Sequence, residues 1–445
     1  MARSGSARFR LQLPPHVWRL LAVRGLRSFT QSYLNVIAPL YLASLGLNGA
    51  SLGLLFTASL LVGAGLLVPV GIAADRYRRK PFLLAFTVLM VLWGCLYATT
   101  RFLPLLLVVS AVAGIGRGGG GMGAGQAGPF QPAEQALLAD MVPPARRRDV
   151  FSINTFVATL MAAAGAAVSG APVWLSRLGV HSGDSLLFWL TAALGAISLA
   201  LLWGLPEPRR PRPKEPLRRG LFSAPTSRIV WRQALAGSIN AFGMGFVNPL
   251  FVYWLYLRFH VGADVMGPVF AVSFLLNGGT IYFARELARR IGTVRTIVLT
   301  RVSAALITAG IAFCPTFAWA AVLQVVRTAL TMMVVPVRQS FTMNLIPSEE
   351  RASATGVTGL ARRVVGSISP SLAGMFLDSG ELALPFYCSG GLLTVSAWLY
   401  YRFFHRFDDR GSGVIRTAGE GPALPLSVQE PADATSRNLH RRPDA

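Results

Sequence analysis

Positive charge recurs along this chain at every second break between long apolar runs, while the breaks in between carry little. Arg and Lys gather before residue 17, at Arg76 to Lys80, Arg146 to Arg148, Arg209 to Arg219 and Arg285 to Arg295, and again in the C-terminal tail. The intervening breaks hold little more than Arg101, Arg177 and Arg258. This is the positive-inside pattern of a chain that crosses a bilayer repeatedly, and it places the basic breaks and both termini in the cytoplasm.

Hydrophobic residues make up 53% of the chain and charged ones only 14%, against about 25% charge in a soluble domain. The 42 Arg and Lys against 19 acidic residues would otherwise suggest a nucleic-acid partner, but their confinement to alternate breaks assigns them to membrane orientation instead. Cys95, Cys314 and Cys388 lack the paired spacing of a zinc site or disulfide framework and read as structural. No small-residue cleavage site follows the basic N-terminus, so the first apolar run reads as a retained span.

The apolar runs predict helices near 17–45, 51–74, 81–100, 104–141, 150–175 and 185–204, then 229–257, 263–285, 295–313, 317–346, 352–377 and 383–404. At about 20 residues per crossing this is an all-α membrane protein of about twelve transmembrane helices. A Pro- and Arg-rich connector over 205–228 separates two six-helix bundles, 17–204 and 229–404. The segments 1–16 and 405–445 read as cytoplasmic tails, the second disordered. The halves repeat each other in parallel, as transporter bundles do. Pro39-Leu40-Tyr41 matches Pro249-Leu250-Phe251, and Gly53-Leu54-Leu55-Phe56 matches Gly267-Pro268-Val269-Phe270. Pro132-Ala133-Glu134-Gln135 with Pro143 matches Pro336-Val337-Arg338-Gln339 with Pro347 at the same spacing. The glycine run at 118–125 has no counterpart and is expected to break the fourth helix.

Between the second and third runs stands Gly71-Ile72-Ala73-Ala74-Asp75-Arg76-Tyr77-Arg78-Arg79-Lys80-Pro81. This stretch resembles the signature loop of the major facilitator superfamily, and residues 17–404 as a whole look like such a transporter. The resemblance implies two pseudo-symmetric bundles and solute movement by alternating access. It also implies a conformational gate: Gly71 packs against the eleventh helix, Asp75 faces that helix's N-terminus, and Arg76, Arg79 and Lys80 occupy the family's basic positions. Arg78 stands where the family usually has a second Gly, and the second-half loop Arg289-Arg290-Ile291-Gly292 keeps the Gly and loses the Asp. Arg362 and Arg363, opening the eleventh helix, are the expected partners of Asp75. Arg117 resembles the family Arg linked to proton coupling, whereas the fifth helix lacks the Gly-Pro pair of drug/proton antiporters.

A charge on a membrane helix costs about 2.5–3.5 kcal/mol on insertion scales, so each should face a cavity or a partner. Arg24, Arg232, Asp140 and Glu286 read as snorkelling or loop-side ion pairs, and Arg27 and Arg301 are further embedded bases. Glu134 and its repeat mate Arg338 are expected to approach one axis, either as a proton-responsive pair or as a permanent salt bridge. Arg117 and Arg327 either hold an anionic substrate from both halves or bond backbone carbonyls freed by helix breaks. Gln31, Asn35, Tyr41, Asn240, Asn248 and Asn277 line a mostly apolar cavity with Phe242, Tyr253 and Trp254, or serve helix packing.

These features describe a secondary transporter of a small organic solute, in the plasma membrane and monomeric, with proton-coupled export as the preferred mode. Uptake or exchange of an organic anion through Arg117 and Arg327 is the alternative, and a non-transporting sensor of the same fold a further one. No Gly-x-x-x-x-Gly-Lys loop suggests ATP hydrolysis, and His181, His260 and His405 are isolated. An enzyme, a metal site and a cofactor are therefore not expected.

Overall fold

A computed structural model describes residues 13–76, 79–113, 130–143, 146–177, 179, 185–206, 223–347 and 350–408. Within them the chain is helical throughout. The first half holds α1 (Pro15–Ser44), α2 (Gly49–Arg76), α3 (Arg79–Thr99), α4 (Leu103–Ala113), α5 (Phe130–Met141), α6 (Arg147–Val168), α7 (Ala171–Arg177) and α8 (Ser185–Trp203). The second holds α9 (Ala224–Val247), α10 (Phe251–Phe259), α11 (Ala263–Ile291), α12 (Thr293–Ile311), α13 (Phe317–Leu345), α14 (Arg351–Asp378) and α15 (Leu384–Phe404). Pairing α6 with α7 and α9 with α10 as interrupted spans, and α4 with α5 across the undescribed 114–129, gives the twelve-span plan. The expected glycine break at 118–125 and Arg117 lie outside the described residues.

The fifth span, expected as one helix over 150–175, divides at Ser169 and Gly170, and two further boundaries differ from the sequence reading. The connector ends sooner than expected, because α9 already begins at Ala224. The seventh span is interrupted at Asn248 to Leu250, where Pro249 has no N–H to continue the ladder. Its repeat mate Pro39 lies inside an unbroken α1.

Each half packs on its own repeat-related contacts: α1 against α6 and α8, and α3 against α8; then α9 against α14 and α15, and α12 against α15. The halves meet chiefly through two helix pairs, α2 with α14 and α6 with α11, with lesser contacts of α1 on α10 and α11 and of α7 on α11. At these crossings lie the matched glycines. A Cβ on Gly53 would collide with the Pro370 carbonyl, and one on Gly267 with the Ala166 carbonyl and Ser169 hydroxyl. In lipid, where no hydrophobic force drives helices together, such close approach is how association is gained.

The two ends of the bundle differ. At the end away from the termini, one apolar cluster runs through both halves, including Leu42, Leu52 and Trp93 with Trp254, Phe270 and Phe386. At the end where α1 begins and α15 finishes, each half keeps a cluster of its own, around Leu20, Phe130 and Leu138 in one and Ile297, Phe341 and Phe404 in the other. The molecule is thus closed at the far end.

Candidate functional site

The second half contains a small cavity of about 60 Å³, partly open to its surroundings, bounded mainly by α9, α12, α13 and α14. Four arginines line it: Arg301 from α12, Arg327 and Arg338 from α13, and Arg362 from α14. Arg327 is 5% exposed and Arg301 6%. Arg327 donates from Nε to Gln324 Oε1 (2.9 Å) and from Nη2 to Asn248 Oδ1 (2.8 Å). Arg301 donates to Ser396 Oγ (3.1 Å) and lies 4.9 Å from the Tyr400 ring centre. These partners fix each guanidinium and leave its charge uncompensated. The Nε of Arg362 is shielded from solvent with no hydrogen-bond partner. Among the described residues, no carboxylate forms an ion pair with any of the four. Repulsion within the cluster and the cost of burying unpaired charge both favour an incoming anion.

Arg362 thus comes to this cavity from the position at which a gate partner for Asp75 was expected. Asn240 lines the cavity too, its Nδ2 3.3 Å from Met244 Sδ, and Asn248 serves it by orienting Arg327. Asn277 is partly buried with its Oδ1 unpartnered, and Gln31 and Asn35 are partly buried on α1. Tyr41 packs at the closed end, 4.8 Å from Phe188 and 5.9 Å from Tyr97 between ring centres, and Tyr253 and Trp254 are buried in the same cluster. These three rings pack the closed end rather than line the arginine cavity.

The expected approach of Glu134 to Arg338 is corrected. Glu134 is 1% exposed and pairs with Arg24 inside the first half (Nη1 to Oε2, 3.3 Å), while its Oε1 has no partner. One turn away, the Arg27 guanidinium sits 3.5 Å from the centre of the Phe130 ring. Glu134 and Phe130 share a face of α5 at a spacing of four, as Arg24 and Arg27 do on α1 at three, so the two helices meet rung on rung. Arg24, expected to snorkel, is 6% exposed and internal.

In the signature loop, the side chains of Gly71, Asp75 and Arg76 lie outside the described residues. Arg79 pairs with Asp140 at the end of α5 (2.8 Å), and Lys80 donates to the Trp203 and Leu205 carbonyls closing α8 (2.6 and 2.8 Å). Both tie helix ends within their own half. Asp140 and Glu286 form the expected loop-side pairs, the latter with Arg290 at 2.9 Å. The sequence reading missed the far-end pairs. There Asp378 accepts from the Gly49 and Ala50 N–H groups, and Arg177 meets Asp264 at 2.9 Å. A lone acid beside a span boundary was the available signal.

Residues 20–370 match the model of the Major Facilitator Superfamily. The chain belongs to that superfamily. This facilitator is similar to an uncharacterized membrane protein of Saccharomyces cerevisiae, with 21% identity over 83% of this chain and 90% of the relative. Among solved structures it resembles a POT family peptide transporter (TM-score 0.71, 13% identity, 91% of this chain and 99% of that one). It also resembles the nucleoside transporter NupG (TM-score 0.66, 14% identity, 88% and 99%). At these identities the structural likeness speaks for the fold alone, and it is membership of the superfamily that makes the chain a membrane transporter.

Proposed function

We propose that this facilitator moves a small organic anion by alternating access between its two bundles. The observation that carries the reading is the cavity lined by Arg301, Arg327, Arg338 and Arg362 without a carboxylate among its lining residues. This favours the anion mode over a mostly apolar cavity for neutral or cationic drugs. If the basic breaks are cytoplasmic, the closed far end faces outward and the conformation is inward-facing. Export then has an electrical advantage, since each negative charge leaving a cell that is negative inside gains about 2.3 kcal/mol per 100 mV. The plasma membrane is the location we assign.

Proton coupling is a second reading, supported by Glu134. A carboxylate buried beside Arg24 with one oxygen unpartnered is a group whose protonation would release its partner.

The test is solute flux in proteoliposomes, comparing labelled organic anions, neutral solutes and lipophilic cations. Saturable anion flux that Arg327→Gln abolishes is the expected result. Flux confined to neutral or cationic solutes, indifferent to that substitution, would overturn it. A pH gradient driven by anion addition in the parent protein, and absent in Glu134→Gln, would support coupling.

A further inference from the structure

The cavity has two separated positive poles. Arg327 and Arg338 stand eleven residues apart on α13, which is three turns, so they share one face and their backbone positions lie about 16 Å apart along the axis. Between them the cavity wall is formed by Leu330, Thr331, Val334 and Val335, which is mostly apolar. The inner pole, Arg327, is held in place by Gln324 and Asn248. The outer pole, nearer the C-terminal end of α13, joins Arg338 to Arg301 and Arg362 from the neighbouring helices, whose charges repel one another.

A single carboxylate is too small to touch both poles. A solute with one charge would satisfy one of them and leave the other an unpaired guanidinium facing its apolar body. Binding would then deepen the desolvation of that charge without compensating it. A solute with an anionic group at each end has neither defect, since each end receives charge-assisted, two-pronged hydrogen bonds and its middle meets Leu330, Val334 and Val335.

We infer that the substrate is an elongated dianion, with two anionic groups joined by an apolar body, held between Arg327 and the Arg338–Arg301–Arg362 pole. This rests on the anion reading above and narrows it.

The experiment measures binding to the full chain, in nanodiscs of uncharged-headgroup lipid so that no anionic lipid competes. The probes are α,ω-dicarboxylates of rising length, from succinate to sebacate, beside the monocarboxylate of each length. The expected result is a length optimum among the diacids, at which the diacid binds roughly tenfold or more tightly than its monoacid, one extra charged pair being worth at least that much. Arg327→Gln and Arg338→Gln should each reduce the diacid to the monoacid's affinity, whereas Arg338→Lys, which keeps the charge, should retain part of the advantage. Equal binding of mono- and diacids at every length would overturn the two-pole inference while leaving the anion reading intact. Binding of neither class, with a neutral or cationic solute bound instead, would overturn both. The length series on the unaltered protein decides the matter even if a variant fails to fold.

Discussion

Asp378, the last residue of α14, caps the first turn of α2 in the opposite half. Its two carboxylate oxygens accept from the N–H groups of Gly49 at 2.6 Å and Ala50 at 2.8 Å. Helix N-termini leave such donors unsatisfied and carry partial positive charge, so a carboxylate there is doubly favoured. The contact inverts the one expected of Asp75, in which an acid on the second span faces the start of the eleventh. Arg177, the last residue of α7, and Asp264, in the first turn of α11, tie the halves at the same end.

Replacing Asp378 with Ala should therefore weaken closure at the far end. Loss of a helix cap costs about 0.5–2 kcal/mol, enough to shift a two-state balance by a factor of roughly 2–30. Spin-label distances across the far end should lengthen in a larger fraction of molecules. An unchanged distance distribution would mean that apolar packing alone keeps that end shut.

Gly53 and Gly267 should tolerate no side chain. Ala at either position would push α2 from α14 or α11 from α6, with about 1–3 kcal/mol of overpacking. A fall in melting temperature is expected for both. Gly65 is the internal control, since a Cβ there meets nothing within 4 Å and Ala should be silent.

The Arg24–Glu134 pair separates structure from coupling. Glu134→Ala removes the carboxylate that the buried Arg24 pairs with and should destabilise by about 3–5 kcal/mol, while the joint change Arg24→Met with Glu134→Leu should recover most of that loss. If the recovered protein transports solute without proton movement, the pair is the coupling element; if coupling survives, the pair is purely structural.

Stability should also depend on pH through Glu350. Hydrogen bonds from the Thr226 side chain and the Ser223 backbone hold its carboxyl below the ordinary carboxylate range. The carboxylate receives the Ser223 N–H at 2.9 Å, tying the start of α9 to that of α14. A carboxyl whose folded pKa is depressed stabilises fully above its unfolded pKa, and that stabilisation disappears as pH falls through the folded value. Melting curves of the parent and Glu350→Gln should therefore differ near neutral pH and converge under acid conditions below the ordinary carboxylate pKa.

Much of the fold was legible because a bilayer permits so few solutions. Helix lengths, alternating basic breaks and the matched pair Gly53 and Gly267 led to the twelve spans and foretold a parallel relation between the halves. The repeat misled only when equivalence was read as proximity. Glu134 and Arg338 occupy matching places in their halves, but each side chain answers to neighbours inside its own bundle, and Glu134 found Arg24. The arginines at 301, 327, 338 and 362 were each visible as charges that needed a reason. That they line one cavity was not visible, because they lie on three helices and nothing in the spacing of one records the rotation of the next.

What the amino-acid sequence determined by itself, then, was the solvent of each segment and the number of crossings, since hydropathy and the placement of charge act locally. The closed far end, the pairing of Glu134 and the gathering of four guanidiniums were decided only by tertiary structure. These depend on how helices distant in sequence turn their faces toward one another, and close packing settles that for all of them together.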